Sequence, residues 1–240
     1  MAERAALITG GSSGIGLAIA RMLGGEGYAL TISARRPEKL EEAAQGLREE
    51  GFEVTHVAAQ MGDEEQLVAA IDAHKQAYGR LDVLANNAGV GIGQPMEEIQ
   101  TKHLDIQLGV NLRALIIATR ECLPMLKEAG AEHRKALIVN TSSISGKSGQ
   151  PWLSVYSATK AAVIGFSQAT QKEVGDAGIQ VTALCPAFVD TPMTEFAKDQ
   201  VDAEDMIRPE DIAEMVRPLL HLSPFCVVPE IQFLRPGEGI

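Results

Sequence analysis

Seven short apolar runs alternate with longer segments of helical periodicity, and this alternation restricts the fold more than any other feature of the chain. The runs fall at Ala5–Thr9, Ala29–Ala34, Glu53–Ala59, Leu81–Ala85, Ala136–Thr141, Gln180–Cys185 and Glu230–Leu234. Within them Ala-Leu-Ile, Val-Leu-Ala and Leu-Ile-Val are apolar throughout, as strands covered on both faces must be. Helical patterns lie between them at Gly14–Gly25, Pro37–Glu50, Asp63–Tyr78, Thr101–Ala129, Pro151–Asp176 and Pro209–Leu220. Pro37 and Pro209 suit a first helical turn, and Gly51 suits a helix end. Strands joined by helical crossovers make a parallel sheet, so the expected class is α/β, a doubly wound seven-stranded sheet with helices on both faces. A chain of 240 residues buries roughly 70% of its unfolded surface in one core, so residues 1–240 are read as a single domain. No internal repeat or linker interrupts it. The irregular stretch from Pro186 to Arg208 predicts a lid over about residues 187–208.

The net charge is −11 and the pI about 5.0. Nucleic acid and anionic membrane surfaces would be repelled by that field, and no apolar run approaches the ~18 residues of a membrane span. The three cysteines, Cys122, Cys185 and Cys226, form no paired spacing, so neither a disulfide framework nor a zinc knuckle is expected. With no secretory pattern at the start, a cytoplasmic location is expected. The five histidines are scattered without ligand spacing, so no metal is expected. Cys185 reads as a core residue, and the acidic residues Asp199, Asp202, Glu204 and Asp205 as a solvated lid face.

The first strand opens into Thr9-Gly10-Gly11-Ser12-Ser13-Gly14-Ile15-Gly16 and then a helix. Glycines allow a tight turn, close approach to a pyrophosphate and helix packing against the strand, while the helix N-terminus offers unpaired N–H groups. An ordinary Gly-rich turn would share these glycines, but the N-terminal βαβ context predicts a dinucleotide site. At the end of the second strand, where a carboxylate would bind the ribose of NAD, the chain reads Ala34-Arg35-Arg36. Two guanidinium groups where a 2′-phosphate would arrive favour NADP(H), with Arg35 the stronger candidate.

Of the three tyrosines, Tyr156 alone has a lysine, Lys160, four residues on. On one helix face the pair would be close. A neighbouring ammonium stabilises tyrosinate: at ~4 Å and an effective dielectric of ~20 the attraction is about 4 kcal/mol before desolvation. The expectation is a phenol lowered toward neutral-pH acid/base work. Asn86-Asn87-Ala88-Gly89, Asn140-Thr141-Ser142-Ser143 and Pro186-Ala187-Phe188-Val189-Asp190-Thr191 lie just past strand ends, where open α/β sheets bind ligands.

These pieces together resemble the short-chain dehydrogenase/reductase family. The resemblance covers essentially the whole chain, through Thr-Gly-x-x-x-Gly-Ile-Gly, Asn-Asn-Ala-Gly, a serine thirteen residues before the tyrosine, and Tyr-x-x-x-Lys. It implies a Rossmann fold and an NADP-dependent oxidoreductase that moves hydride between NADP(H) and a carbonyl/alcohol pair. By the resemblance Ser143 holds the substrate oxygen, Tyr156 is the acid/base, Lys160 holds the nicotinamide ribose and tunes the phenol, and Asn111 organises a proton relay. Ser12 and Ser13 would meet phosphates or ribose, Asn87, Ala88 and Gly89 the adenosine-side ribose, and Val189 and Thr191, beyond Pro186, the carboxamide. Gln60, before Met61, stands where the family often has an adenine-binding Asp. Ala187 replaces a common Gly, and the C-terminal Gly-Gly is missing.

Substrate-pocket candidates are Gln94, Ser145, Gln150, Trp152, Leu153, Phe188, Met193 and Phe196. The family also implies a homotetramer, ahead of a homodimer. Alternative activities on the same fold are an NADP(H)-binding redox sensor or scaffold without turnover, and an epimerase or dehydratase. A carbonyl activity panel and product analysis separate them.

Overall fold

In the computed structural model, which describes residues 2–195 and 201–238, each apolar run becomes a strand of one parallel sheet. The elements are β1 Ala5–Thr9, α1 Gly14–Gly25, β2 Ala29–Ala34, α2 Pro37–Glu49, β3 Val54–Ala58, α3 Glu64–Tyr78, β4 Val83–Asn86, α4 Thr101–Leu108, α5 Ala114–His133, β5 Ala136–Thr141, α6 Ser154–Val174, β6 Ile179–Pro186, α7 Pro209–His221 and β7 Glu230–Phe233. The strand order is β3-β2-β1-β4-β5-β6-β7, every pairing parallel. This is the doubly wound Rossmann arrangement.

Alternation along each strand divides the core into two layers. Ala6 and Ile8 of β1 face a cluster with Ile19 and Leu23 of α1, Leu40 and Leu47 of α2, and Val216 of α7. Leu7 faces the opposite cluster, with Leu67 and Ile71 of α3 and Ala118 and Leu126 of α5. On that second face α6 lays Ile164 against Ala183 and Cys185 of β6. Among the described residues no helix is long and apolar enough to cross a membrane.

The expected helix Thr101–Ala129 is interrupted. α4 ends at Leu108, a π turn spans Gly109–Arg113, and α5 continues to His133. Gly109 and Asn111 are poor helix formers, and the wider turn lets the buried Gln107 and Asn111 both reach the loop after β4: Gln107 Oε1 accepts from Ile92 N at 3.2 Å, and Asn111 Oδ1 from Val90 N at 2.8 Å. The last long helix begins at Ser154 rather than Pro151, because Trp152 takes a left-handed backbone, φ 54°. In the stretch after β6, Val189 bridges Ile207, and a short 3₁₀ turn follows at Ala203–Asp205. Phe196 and Asp199 lie outside the described residues.

Candidate active site

From β1 the strand order runs outward in both directions, so the loops leaving β1 and β4 face each other across a crevice. The register sets Thr9, Asn86 and Asn140 side by side at the carboxyl ends. Thr9 Oγ1 accepts from the backbone N–H of both Asn87 and Ala88 at 3.1 Å, and Asn87 Nδ2 donates to Gly10 O at 3.3 Å. The two loops are thereby tied into one surface.

That surface is cut from backbone. A Cβ on Gly10, whose φ is 68°, would stand 2.9 Å from Ala88 Cα, and one on Gly16 would overlap the Gly10 carbonyl oxygen. Ser13 precedes α1 in an extended conformation without capping it by its side chain, so the first-turn N–H groups of α1 remain available. Ser12, Gly14 and Ile15 complete the turn, with Gly14 against the Thr191 methyl. A pyrophosphate fits this cradle: bare backbone, N–H donors and the positive end of a helix. Arg35 and Arg36 are both exposed past β2, and among the described residues neither guanidinium has an acidic or hydrogen-bonding partner. Beyond β3, Met61 is buried and Gln60 is exposed, its N–H held by Gln66 Oε1 at 3.0 Å.

The second half of the crevice is polar and largely buried. Asn111 is 1% exposed. Its Nδ2 donates to Val90 O at 2.9 Å and Thr159 Oγ1 at 3.1 Å, while its Oδ1 takes the Val90 N–H. The two serines after β5 divide their tasks. Ser142 Oγ is committed to Lys160 O at 2.7 Å; Ser143 Oγ accepts from Ser145 N, donates to Pro186 O at 3.4 Å and lies against the Tyr156 phenol. Lys160 is 3% exposed, donates to Thr141 O at 2.8 Å, and sits 5.6 Å from the Tyr156 ring centroid. A Cβ on Gly89 would stand 3.5 Å from both Asn111 Oδ1 and Lys160 Nζ, and one on Gly91 3.7 Å from the Tyr156 ring. The glycine strip after β4 therefore passes directly beside all three side chains. Val189 is buried, and Thr191 is held through its N–H by Thr194 Oγ1 at 3.2 Å.

Burial decides the electrostatics. It lowers Lys160 to about 8 and raises Tyr156 above the usual phenol, with the Ser143 hydroxyl partly opposing the latter shift. The expected lowering of the phenol by its lysine is thus reversed. The ammonium points at the Thr141 carbonyl, and dehydration of the phenol sets the direction of its shift.

Thr9, Thr141 and Thr159, for which the sequence alone suggests no role, knit the site. Thr141 receives Lys160 and donates its hydroxyl to Asn87 Oδ1 at 3.1 Å; Thr159 accepts from Asn111 and donates to Tyr156 O at 2.7 Å. Thr9 and Thr141 at least stand inside quoted motifs, at strand ends; nothing in the spacing marks Thr159. Among the described residues no group of three or more His, Cys, Asp or Glu could hold a metal ion.

A parallel sheet with a backbone cradle at its switch point and a Ser-Tyr-Lys cluster beside it defines a dinucleotide-dependent oxidoreductase. The chain belongs to the short-chain dehydrogenase family: the family model described as short chain dehydrogenase matches residues 4–202. It is 36% identical over 193 residues to an uncharacterised oxidoreductase of Bacillus subtilis (strain 168), covering 80% of this chain and 74% of the relative. An alcohol dehydrogenase from the archaeon Thermococcus sibiricus, complexed with 5-hydroxy-NADP, matches at 31% identity over 98% of this chain and 97% of that one, with a TM-score of 0.87. A 3-ketoacyl-(acyl-carrier-protein) reductase from Brucella melitensis, complexed with NADH, matches at 30% over 96% of both chains, with a TM-score of 0.85. The cofactor class is NAD(P).

Proposed function

We propose that the chain is an NADP(H)-dependent reductase of ketones or aldehydes, working on the carbonyl/alcohol pair with Tyr156 as acid/base. One observation carries this reading: Tyr156 and Lys160 border the same glycine strip, and the Ser143 hydroxyl lies against the phenol. When bound, the nicotinamide supplies the hydride. Ser143 holds the carbonyl oxygen through its hydroxyl, and Tyr156 gives that oxygen its proton. A phenol is protonated at neutral pH, the state an acid in the reductive direction needs. Lys160 presents its amine to the ribose, and Asn111 fixes the Val90 loop against α6 so that the strip keeps its place.

The choice of NADP(H) over NAD(H) rests on Arg35 and Arg36, since the two solved relatives carry one cofactor type each. The stretch 187–208 is assigned as the lid, the assembly as a homotetramer ahead of a homodimer, and the compartment as the cytoplasm. Light scattering at the mass of one chain would refute the assembly.

The test is NADPH consumption against ketones, aldehydes and quinones. Tyr156→Phe is expected to lose ~10²-fold or more in turnover with NADPH affinity within about twofold of the parent; near-normal turnover overturns the assignment. Arg35→Ala should weaken NADPH by about tenfold or more, the value of a charge-assisted pair, and NADH little; equal losses overturn the cofactor choice. Tight NADPH binding with no consumption across the panel would instead favour a redox sensor, and product analysis would expose an epimerase or dehydratase.

A further inference from the structure

Three buried hydroxyls on the long helices share one arrangement. Thr119 of α5 donates to Leu115 O at 2.8 Å and accepts from Asn86 Nδ2 at 3.2 Å; Ser167 of α6 donates to Val163 O at 2.7 Å and accepts from Asn140 Nδ2 at 2.9 Å. Thr159 of α6 is the third: 1% exposed, it donates to Tyr156 O at 2.7 Å and accepts from Asn111 Nδ2 at 3.1 Å. In each case the hydroxyl hydrogen goes to the helix's own backbone, so a lone pair is left to face the asparagine. The helix thereby fixes which way each amide points.

The third pair differs in what lies at its ends. Leu115 and Val163 belong to the buried apolar core, whereas Thr159 reaches back three residues to the carbonyl of Tyr156 itself. In the regular helix that same carbonyl takes the Lys160 N–H. At the other end Asn111 spends its Oδ1 and its second amide hydrogen on Val90, accepting from N at 2.8 Å and donating to O at 2.9 Å. Val90, Asn111, Thr159 and Tyr156 thus form one unbroken run of hydrogen bonds from the loop after β4 to the turn of α6 that carries both titrating groups. Gly89 and Gly91 flank Val90, and their Cβ positions stand 3.5 Å from Lys160 Nζ and 3.7 Å from the Tyr156 ring. A shift of that loop is therefore a shift of the strip against both groups.

We propose that Thr159 is a positioning residue whose hydroxyl, acting through Asn111, sets the gap between the glycine strip and the phenol, and so the alignment of a bound carbonyl with Tyr156. This rests on the carbonyl-reductase reading above. A misplacement of about 1 Å at a reacting centre costs up to ~10²-fold in rate. Thr159→Val keeps the shape of the side chain and leaves one Asn111 N–H unpaired. With NADPH and 2,3-hexanedione, kcat counted per NADPH-binding site is expected to fall about tenfold, with KM for NADPH within about twofold of the parent. Thr159→Ser, which returns the hydroxyl, should recover kcat to within about threefold. In an Asn111→Ala background Thr159→Val should cost less than about twofold more, as two residues acting through one contact must.

Exchange of the Val90 amide reports the same run without turnover, because Asn111 holds that N–H. In the cofactor-free chain Thr159→Val should speed it about tenfold. Ser167→Ala, which breaks the matching contact to Asn140 deeper in the same helix, should change it by less than about twofold. Turnover of Thr159→Val within about twofold of wild type, no recovery with serine, or Val90 exchange no faster than in Ser167→Ala overturns the proposal. If wild type consumes NADPH with neither 2,3-hexanedione nor the wider panel, the reductase reading fails, and Val90 exchange alone then decides for or against Thr159.

Discussion

Replacing Lys160 by Met should make stability depend on pH in a way that isolates the buried charge. Lys160 is 3% exposed, donates to one carbonyl, and has its pKa lowered from 10.5 to about 8 by burial. Below pH 8 the amine is charged in both folded and unfolded chains, and the full burden of ~3 kcal/mol falls on the fold. Between pH 8 and 10.5 the folded chain has lost the proton while the unfolded chain keeps it, so stability rises with pH; at pH 9.5 about 1.5 kcal/mol of the burden remains. Met has a similar shape and no charge. It leaves the Thr141 carbonyl without its donor, a loss of ~1–3 kcal/mol that is the same at both pH values and cancels in their difference. Cys185, pushed up to about 11, and Tyr156, raised above the usual phenol, both stay neutral over this range. The advantage of Lys160→Met over wild type should therefore shrink by ~2 kcal/mol from pH 7 to pH 9.5, or about 4–8 °C in relative Tm for a chain of this length. Scanning calorimetry of the cofactor-free proteins at the two pH values measures it. Melting temperatures that move in parallel would refute the reasoning.

Three further outcomes are expected. His74 is fully buried between Thr31 Oγ1 and Arg80 O, each at 2.8 Å, and is lowered to about 4 by burial; its folded value lies below its unfolded value, so the fold should lose ~2 kcal/mol as pH falls from 6.5 to 4.5. Urea midpoints should show a weaker acid dependence for His74→Gln, and identical slopes would contradict this. Cys122 and Cys185 are buried with thiols pushed up, whereas Cys226 is exposed, so an aromatic disulfide reagent should titrate one thiol in the native chain and three in denaturant; two fast native thiols would be inconsistent. Gly16→Ala sets a methyl on the Gly10 carbonyl and should cost ~1–3 kcal/mol in stability together with dinucleotide affinity; calorimetric NADPH binding within twofold of wild type would count against the cradle.

The elements that the sequence reading places correctly are those whose signals are local. β1, β2, β5 and α1 have the expected bounds, since a wholly apolar run ending in a glycine turn or polar cluster has few other solutions. Pro37 and Pro209 do begin α2 and α7. Where bounds moved, a distant partner moved them. β4 and β6 extend toward the site because Asn86 finds Asn140 and Pro186 finds Phe233 across the ladder. The π turn exists for hydrogen bonds to Val90, 21 residues upstream, and α6 starts late because Trp152 is spent on Gly93. No window along the chain contains either contact.

The same division separates the parts of the site. Spacing alone is enough to bring Tyr156 and Lys160 onto one helix, but the sign of their influence depends on how much water each retains, which the surrounding loops set. Both shifts favour the neutral forms, a protonated phenol and an amine that gives up its charge near pH 8. An ammonium has three donors, and among the described residues Lys160 has one acceptor, Thr141 O. A ligand bringing hydroxyl oxygens to Nζ would supply the rest, restoring the charge and drawing the phenol down with it. In the role proposed for Lys160, the instability stored there and its grip on a ribose are one property, which is why a variant that melts higher at pH 7 is expected to be the one that no longer works.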